Sequence, residues 1–225
     1  MIEGCIFDLD GVIVDTAKYH FQAWRRLANE KFGFDFDAQK NEELKGVSRL
    51  GSLDLIIGWG NEEHGLNLNF TEKEKMELAT IKNEWYKALI ITMTADEILP
   101  GVMDFIHELQ GYNIKLGIGS ASKNTPTVLE VIGIAHYFES IVDGQKCTIS
   151  KPEPDVFLMG ASELGIDPHN SIVFEDAASG VEAALRGGFH AVGVGSPSHL
   201  GHADCVIEGF EGLNFEGLKQ KLGIE

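Results

Sequence analysis

"GCIFDLD" at residues 4–10 sets an apolar run against two aspartates, Asp8 and Asp10, separated by a single leucine. Continuous rather than alternating hydrophobicity suits a strand covered on both faces, as in a parallel sheet. The mouth of such a strand is a poor place for two like charges. Gly11 follows Asp10, and Asp-Gly is common turn chemistry. The other reading is a site in which a cation makes the crowding favourable, and the remaining residues decide between the two.

Four further apolar runs are bounded by Gly, Ser or Asp: "IKLGIGSAS" (114–122), "SIVDG" (140–144), "SIVFEDAASG" (171–180) and "HAVGVGS" (190–196). Helical spacings lie among them, at Val102, Phe105, Ile106 and Leu109, at Val128, Leu129 and Ile132, and at Phe157, Leu158, Ala161 and Leu164. This alternation predicts an α/β fold with a doubly wound, parallel, Rossmann-like sheet. Residues 15–95 differ, with no strand pattern but with helical stripes. Ala17, Phe21, Trp24 and Ala28 share one face, and Leu78, Ile81, Trp85 and Leu89 share another. The economical reading is an all-helical cap domain, 15–95, inserted into a core of 1–14 and 96–225. "MTADEILPG" (93–101) would return the chain to that core.

The composition narrows the function. A chain of 225 residues can bury a sizeable core, and a formal net charge of −17 argues against a partner held through phosphate-backbone neutralisation, so no nucleic acid is expected. A small phosphorylated substrate is still compatible, since a few local cations suffice to hold it. Cys5, Cys147 and Cys205 are odd in number and widely separated, which supports neither a disulfide framework nor a structural zinc site. No apolar run approaches a membrane span and no basic flank precedes the first one, so the expectation is a cytoplasmic protein without a membrane partner.

Ligands of open α/β sheets bind outside the carboxyl ends of the strands. Those ends carry Asp8 and Asp10, then Ser120, then Glu175 and Asp176, with Lys151 in "SKPEPD" (150–155) just past another apolar run. Four carboxylates converging uncompensated would repel and partly protonate. A hard divalent cation with oxygen ligands, Mg²⁺ above all, removes that problem. A lysine beside the cluster is redundant for metal storage and sensible if a phosphoryl group also enters. A carboxylate can then attack phosphorus, because the cations offset repulsion between two anions.

"FDLDGVIVDT" (7–16), "SAS" (120–122), "SKPEPD" and "FEDAASG" (174–180) together resemble the haloacid dehalogenase superfamily. The resemblance implies that Asp8 forms an aspartyl-phosphate and that Asp10 is the general acid and base. Mg²⁺ would be held by Asp8, the Asp10 backbone carbonyl and Asp176, with Glu175 in or beside that shell. Ser120 and Lys151 would bind the transferring phosphoryl oxygens.

The inserted helices resemble the β-phosphoglucomutase subgroup through "DTAKYHFQAW" (15–24), "LKGVSR" (44–49), "KNEWY" (82–86) and "SASKN" (120–124). That resemblance weakens in "GWGNEEHGLNLNFTE" (58–72) and in the C-terminal tail. It adds Thr16 and His20 to the catalytic set, His20 coupling Asp10 to cap closure. It assigns Arg49 to the distal phosphate of a bisphosphorylated sugar, with Lys123 and Asn124 assisting. Lys45, Gly46, Val47, Ser48, Lys82, Ala121 and Ser122 complete the substrate contacts. Plainer readings stand beside these: His20 as a surface residue or a satisfied packing partner, Lys45 and Arg49 as cations of a solvated loop, and Lys82 as a lysine snorkelling past an apolar stripe. "GIGSAS" (117–122) and "GVGSPS" (193–198) lack the third glycine of a dinucleotide fingerprint and are better explained as strand-ending loops. The implied activity is a monomeric enzyme interconverting β-glucose 1-phosphate and β-glucose 6-phosphate through β-glucose 1,6-bisphosphate. A Mg²⁺-dependent sugar-phosphate phosphatase and a non-catalytic binding protein on the same fold are the alternatives.

Overall fold

A computed structural model of the chain describes every residue except Lys45, Gly46 and Glu225. Two compact units result, one formed by Met1–Asp15 with Met93–Glu225 and the other by Thr16–Thr92. Each of the five apolar runs contains a strand: β1 (Gly4–Phe7), β2 (Lys115–Gly119), β3 (Ser140–Val142), β4 (Ser171–Glu175) and β5 (His190–Val194). A sixth, β6 (Cys205–Ile207), escapes the sequence reading because it is three residues long and half-exposed at a sheet edge.

The described helices of the second unit are α1 (Ala17–Leu27), which runs on into a π-helical turn at Ala28–Phe32, α2 (Ala38–Asn41), α3 (Arg49–His64) and α4 (Glu72–Ile90). No strand occurs between Thr16 and Thr92 among the described residues. The first unit adds α5 (Val102–Gly111), α6 (Thr125–Val131), α7 (Asp155–Leu164), α8 (Ala178–Arg186), α9 (Pro197–Leu200) and α10 (Phe215–Leu222). No described helix is long and apolar enough to cross a membrane.

The sheet is parallel throughout, in the order β3-β2-β1-β4-β5-β6. Successive side chains of a strand point to opposite faces, so a strand covered on both sides must be apolar at every position. Ile6 and Val173 turn into a cluster with Phe157, Ala161 and Leu164 of α7 and Val181 and Ala184 of α8. Phe7 and Phe174 turn the other way, their rings stacked at 4.7 Å, with Phe105 of α5 edge-on to Phe174 at 5.6 Å. On α7 the expected stripe is only partly right. Leu158 is 39% exposed, since the helix buries the face of Val156, Phe157, Gly160, Ala161 and Leu164.

The helical unit has its own core of Trp24, Leu27, Phe32, Phe34, Phe36, Leu53, Ile56 and Trp59. Residues 58–72, where the resemblance weakens, are locally well specified. Asn61 donates its amide to the Leu68 carbonyl and accepts the Leu68 N–H, at 3.0 and 2.6 Å, which lays Leu66, Leu68 and Phe70 onto the core. Thr71 and Glu74 then close a capping box that starts α4. The expected stripe of α4 needs correcting by one residue. Leu78, Ile81, Trp85 and Leu89 are only half-buried, whereas Ala79, Lys82, Tyr86 and Ile90 form the buried face. Counting apolar residues misses that face because a lysine sits in its middle.

Candidate active site

β1 lies between β2 and β4, and the chain reverses its direction of travel across the sheet there. That reversal opens a crevice at the carboxyl ends of these strands. Phe7 pairs with Ile118 on β2 and with Phe174 on β4. Asp8 and Glu175 therefore leave neighbouring strands at the same level, and the Asp8 N–H donates to the Phe174 carbonyl at 2.9 Å. Ser120 leaves β2 two residues beyond Ile118.

Lys151 joins the two acids. Its Nζ donates to Asp8 Oδ1 at 2.5 Å and to Glu175 Oε1 at 2.9 Å, over the ring of Phe157. Burial alone would lower the lysine's pKa, but the two carboxylates hold the ammonium well above its ordinary value. Asp8 and Glu175 are themselves buried. The Asp10 N–H donates to Asp8 Oδ2 at 3.0 Å, and the Ala177 N–H to Glu175 Oε2 at 3.2 Å. Both oxygens of Glu175 are thus engaged by Lys151 and the backbone.

Asp176 is the acid that Lys151 does not contact directly. Although Asp176 keeps a solvent-exposed face, desolvation of its inner side first, then the charges of Glu175, Asp8 and Asp10, push its carboxyl up to about 8 against the pull of Lys151. Burial and the neighbouring Asp8 also raise Glu175, against the pull of Lys151. Asp8, Glu175 and Asp176 each offer a carboxylate oxygen within 4.8 Å of the others. An all-oxygen, net-negative donor set of this kind fits a hard divalent cation.

Two glycines make room for the acids. Gly11 has φ +77°, and a Cβ there would lie 2.0 Å from Asp176 Oδ2. A Cβ on Gly180 would lie 1.7 Å from Glu175 Oε1. The turn reading of Asp10–Gly11 is therefore correct but incomplete, because the same glycine lets the turn pass against a carboxylate.

Ser120 is buried, and its Oγ accepts the Ser122 N–H at 3.2 Å, which leaves the hydroxyl hydrogen able to donate. Ser122 Oγ accepts the Asn124 N–H at 3.3 Å, and its carbonyl accepts the Thr125 hydroxyl at 2.9 Å. Asn124 is buried, whereas Ala121 and Lys123 are exposed. Gln145, which sequence reasoning overlooked, donates its amide to the Lys123 carbonyl at 3.0 Å and so ties this loop to the segment after β3.

The helical unit carries a second cluster, of bases. Lys82 is buried at 2% exposure, with Nζ 2.7 Å from His20 Nδ1 and 4.5 Å from the Trp24 ring. It does not snorkel. Its head stays among rings because a neutral imidazole can accept its hydrogen bond. Burial, followed by the charge of Arg49, lowers the Lys82 ammonium to about 7. Burial, Lys82 and Arg49 hold the His20 imidazole, stacked on Tyr86, well below its ordinary value. The Thr16 carbonyl accepts the N–H groups of Tyr19 and His20 at 3.0 and 3.1 Å as α1 begins. Ser48 caps α3 through the Gly51 N–H, and Val47 beside it is exposed. Lys45 and Gly46 lie outside the described residues.

This burial has a measurable consequence. A lysine whose folded pKa is lowered from 10.5 to about 7 is a charging penalty, full below pH 7 and gone above the unfolded value. Between those limits the unfolded chain holds a proton that the folded one lacks, so stability rises with pH. Relative to Lys82→Met, the wild type should gain up to about 1.4 kcal/mol per pH unit across this window. Urea unfolding of both proteins at pH 6.5, 8 and 9.5 checks this, and parallel pH profiles would contradict it.

Comparison with known proteins identifies the family. A family model described as haloacid dehalogenase-like hydrolase matches residues 2–188. A β-phosphoglucomutase of Bacillus subtilis is 40% identical over 220 residues, covering 98% of this chain and 95% of that one. The crystal structure of a β-phosphoglucomutase from Clostridium difficile superposes with a TM-score of 0.86 at 44% identity, covering 99% and 98% of the two chains. A fructose-1-phosphate phosphatase of Escherichia coli is similar at lower identity, 32% over 192 residues, covering 85% of this chain and 95% of its own. With the carboxylates, serine and lysine of the strand ends lying inside the matched span, the chain belongs to the haloacid dehalogenase-like hydrolase family.

Proposed function

We propose that this protein is a β-phosphoglucomutase, converting β-D-glucose 1-phosphate to β-D-glucose 6-phosphate through an aspartyl-phosphate on Asp8 and β-glucose 1,6-bisphosphate. Beyond the likeness to enzymes of that name, the observation that carries this reading is the basic cluster on the helical unit. Behind burial, the charge of Arg49 lowers the Lys82 ammonium, and Lys82 and Arg49 together lower the His20 imidazole; an anion relieves that repulsion. Hydrolysis of a monoester needs one phosphate site, whereas a mutase must also hold the phosphate that is not being transferred. Arg49 is assigned to that second phosphate, because a guanidinium can bind it bidentately.

In the first half-reaction the C6 hydroxyl oxygen of β-glucose 1-phosphate attacks phosphorus on phosphorylated Asp8. The bond from phosphorus to the Asp8 oxygen breaks, and the Asp10 carboxylate takes the hydroxyl proton. In the second, the Asp8 carboxylate attacks the phosphorus at C1 of the bisphosphate, and Asp10 returns the proton to the departing C1 oxygen. Lys151 neutralises charge on the transferring phosphoryl group, Ser120 donates its hydroxyl to it, and Glu175 keeps Lys151 in place. Asp8, Asp176 and the Asp10 carbonyl are the groups that would hold Mg²⁺, which when bound offsets the repulsion between the Asp8 carboxylate and an entering phosphate.

The test is a coupled assay on α- and β-glucose 1-phosphate with catalytic β-glucose 1,6-bisphosphate present. Glucose 6-phosphate should form from the β anomer, stop on chelation and resume with Mg²⁺. Release of inorganic phosphate without isomerisation would replace the mutase by a sugar-phosphate phosphatase.

A further inference from the structure

Arginines on this chain are generally held by acids. Arg25 pairs with Asp35 at 2.6 Å, Arg26 with Glu30 at 2.7 Å, and Arg186 with Glu182 at 2.7 Å. With 35 Asp and Glu against 18 Lys and Arg, that is the outcome chance favours. Arg49 departs from it. Its Nη2 donates to Asn83 Oδ1 at 3.0 Å, and it enters no ion pair among the described residues. Asn83 follows Lys82 directly on α4, so one turn of helix sets an ammonium against His20 and an amide against Arg49.

The chemistry of the acceptor matters. A carboxylate at position 83 would hold the guanidinium more firmly, but it would cancel the charge and compete with any incoming anion. An amide oxygen fixes the direction of the guanidinium and leaves its charge intact. The same choice recurs one residue earlier, where Lys82 meets a neutral imidazole rather than an acid. An otherwise acidic chain thus keeps these two neighbouring basic groups paired with neutral acceptors.

We infer that Asn83 is a positioning residue, orienting Arg49 without neutralising it so that Arg49 can bind the phosphate that is not being transferred. This rests on the assignment of Arg49 made above. Asn83 is half-exposed on a long helix, so its substitution leaves the helical core intact.

The experiment compares Asn83→Asp and Asn83→Ala, each in wild-type and Arg49→Ala backgrounds, by steady-state kinetics on β-glucose 1-phosphate. Asn83→Asp should raise KM about tenfold, the worth of one charge-assisted contact, with kcat within about threefold of wild type. Asn83→Ala, which frees the guanidinium but leaves it charged, should raise KM by only about threefold. Without Arg49, both changes should move KM by less than about twofold. Equal effects of Asp and Ala, a loss confined to kcat, or effects that persist without Arg49 would each overturn the inference. An Arg49→Ala enzyme with wild-type KM would remove the assignment itself and the inference with it. Failure of the Asn83 arms alone, beside a raised KM in Arg49→Ala, would leave the assignment standing.

Discussion

Asp8→Asn is expected to lower turnover by at least about 10⁴-fold, the scale seen when a covalent nucleophile is removed. An amide nitrogen or oxygen at this position cannot form the acyl-phosphate, yet the substitution changes the shape of the site very little. Lys151 would keep its 2.9 Å contact with Glu175. One of the carboxylates that pushes up Asp176 would be gone, so the folded protein should be at least as stable as wild type. Inactivity with retained stability is therefore the signature. Two measurements read it. The coupled assay should show no turnover, and incubation with β-glucose 1,6-bisphosphate should yield no acid-stable, hydroxylamine-labile phosphoprotein. Residual mutase activity within about 100-fold of wild type would mean that the nucleophile lies elsewhere.

Lys151→Met should cost both activity and stability. The ammonium lies between two buried acids, at 2.5 Å from Asp8 and 2.9 Å from Glu175. Removing one partner of a buried ionic cluster leaves uncompensated charge, typically about 3–5 kcal/mol of destabilisation. The sign with pH follows from the shift. The acids hold the Lys151 ammonium above its ordinary value, so the pairing stabilises the protein throughout the neutral range. That contribution is lost only as pH rises above the ordinary lysine range. Turnover should fall by about 10³-fold, because the transferring phosphoryl group loses a preorganised cation. Denaturation without added divalent metal measures the first effect and the coupled assay the second. A second substitution, Glu175→Gln, should restore much of the stability of Lys151→Met but none of the turnover. A Lys151→Met protein as stable as wild type without metal would show that the acids are compensated by something else.

Much of the architecture is legible before any coordinates. Strands covered on both faces leave runs such as "GCIFDLD" and "SIVFEDAASG", and the ligand-bearing ends of a parallel sheet can then be read directly. Asp8, Ser120, Glu175 and Asp176 stand out because a charged or polar side chain at the end of an apolar run is conspicuous. β6 is not legible, since three residues at an edge, two of them half-exposed, carry no period. The buried face of α4 misleads for a different reason. A lysine counts as polar in any pattern, yet Lys82 is buried because His20, 62 positions earlier, accepts its hydrogen bond.

Asn83 and the two space-making glycines belong to the same class. An amide on a helix reads as solvated, and Gly11 reads as an ordinary turn residue until Asp176 is seen beside it. By itself the sequence determined the parallel sheet, the helical insertion and the chemical kinds of group at the strand ends, because period and residue type are local properties. Only the tertiary structure decided which charges share a space: Lys151 between Asp8 and Glu175, Lys82 against His20, and Arg49 against an amide. Those pairings join residues tens of positions apart, and their energies depend on burial and distance, which no local pattern encodes.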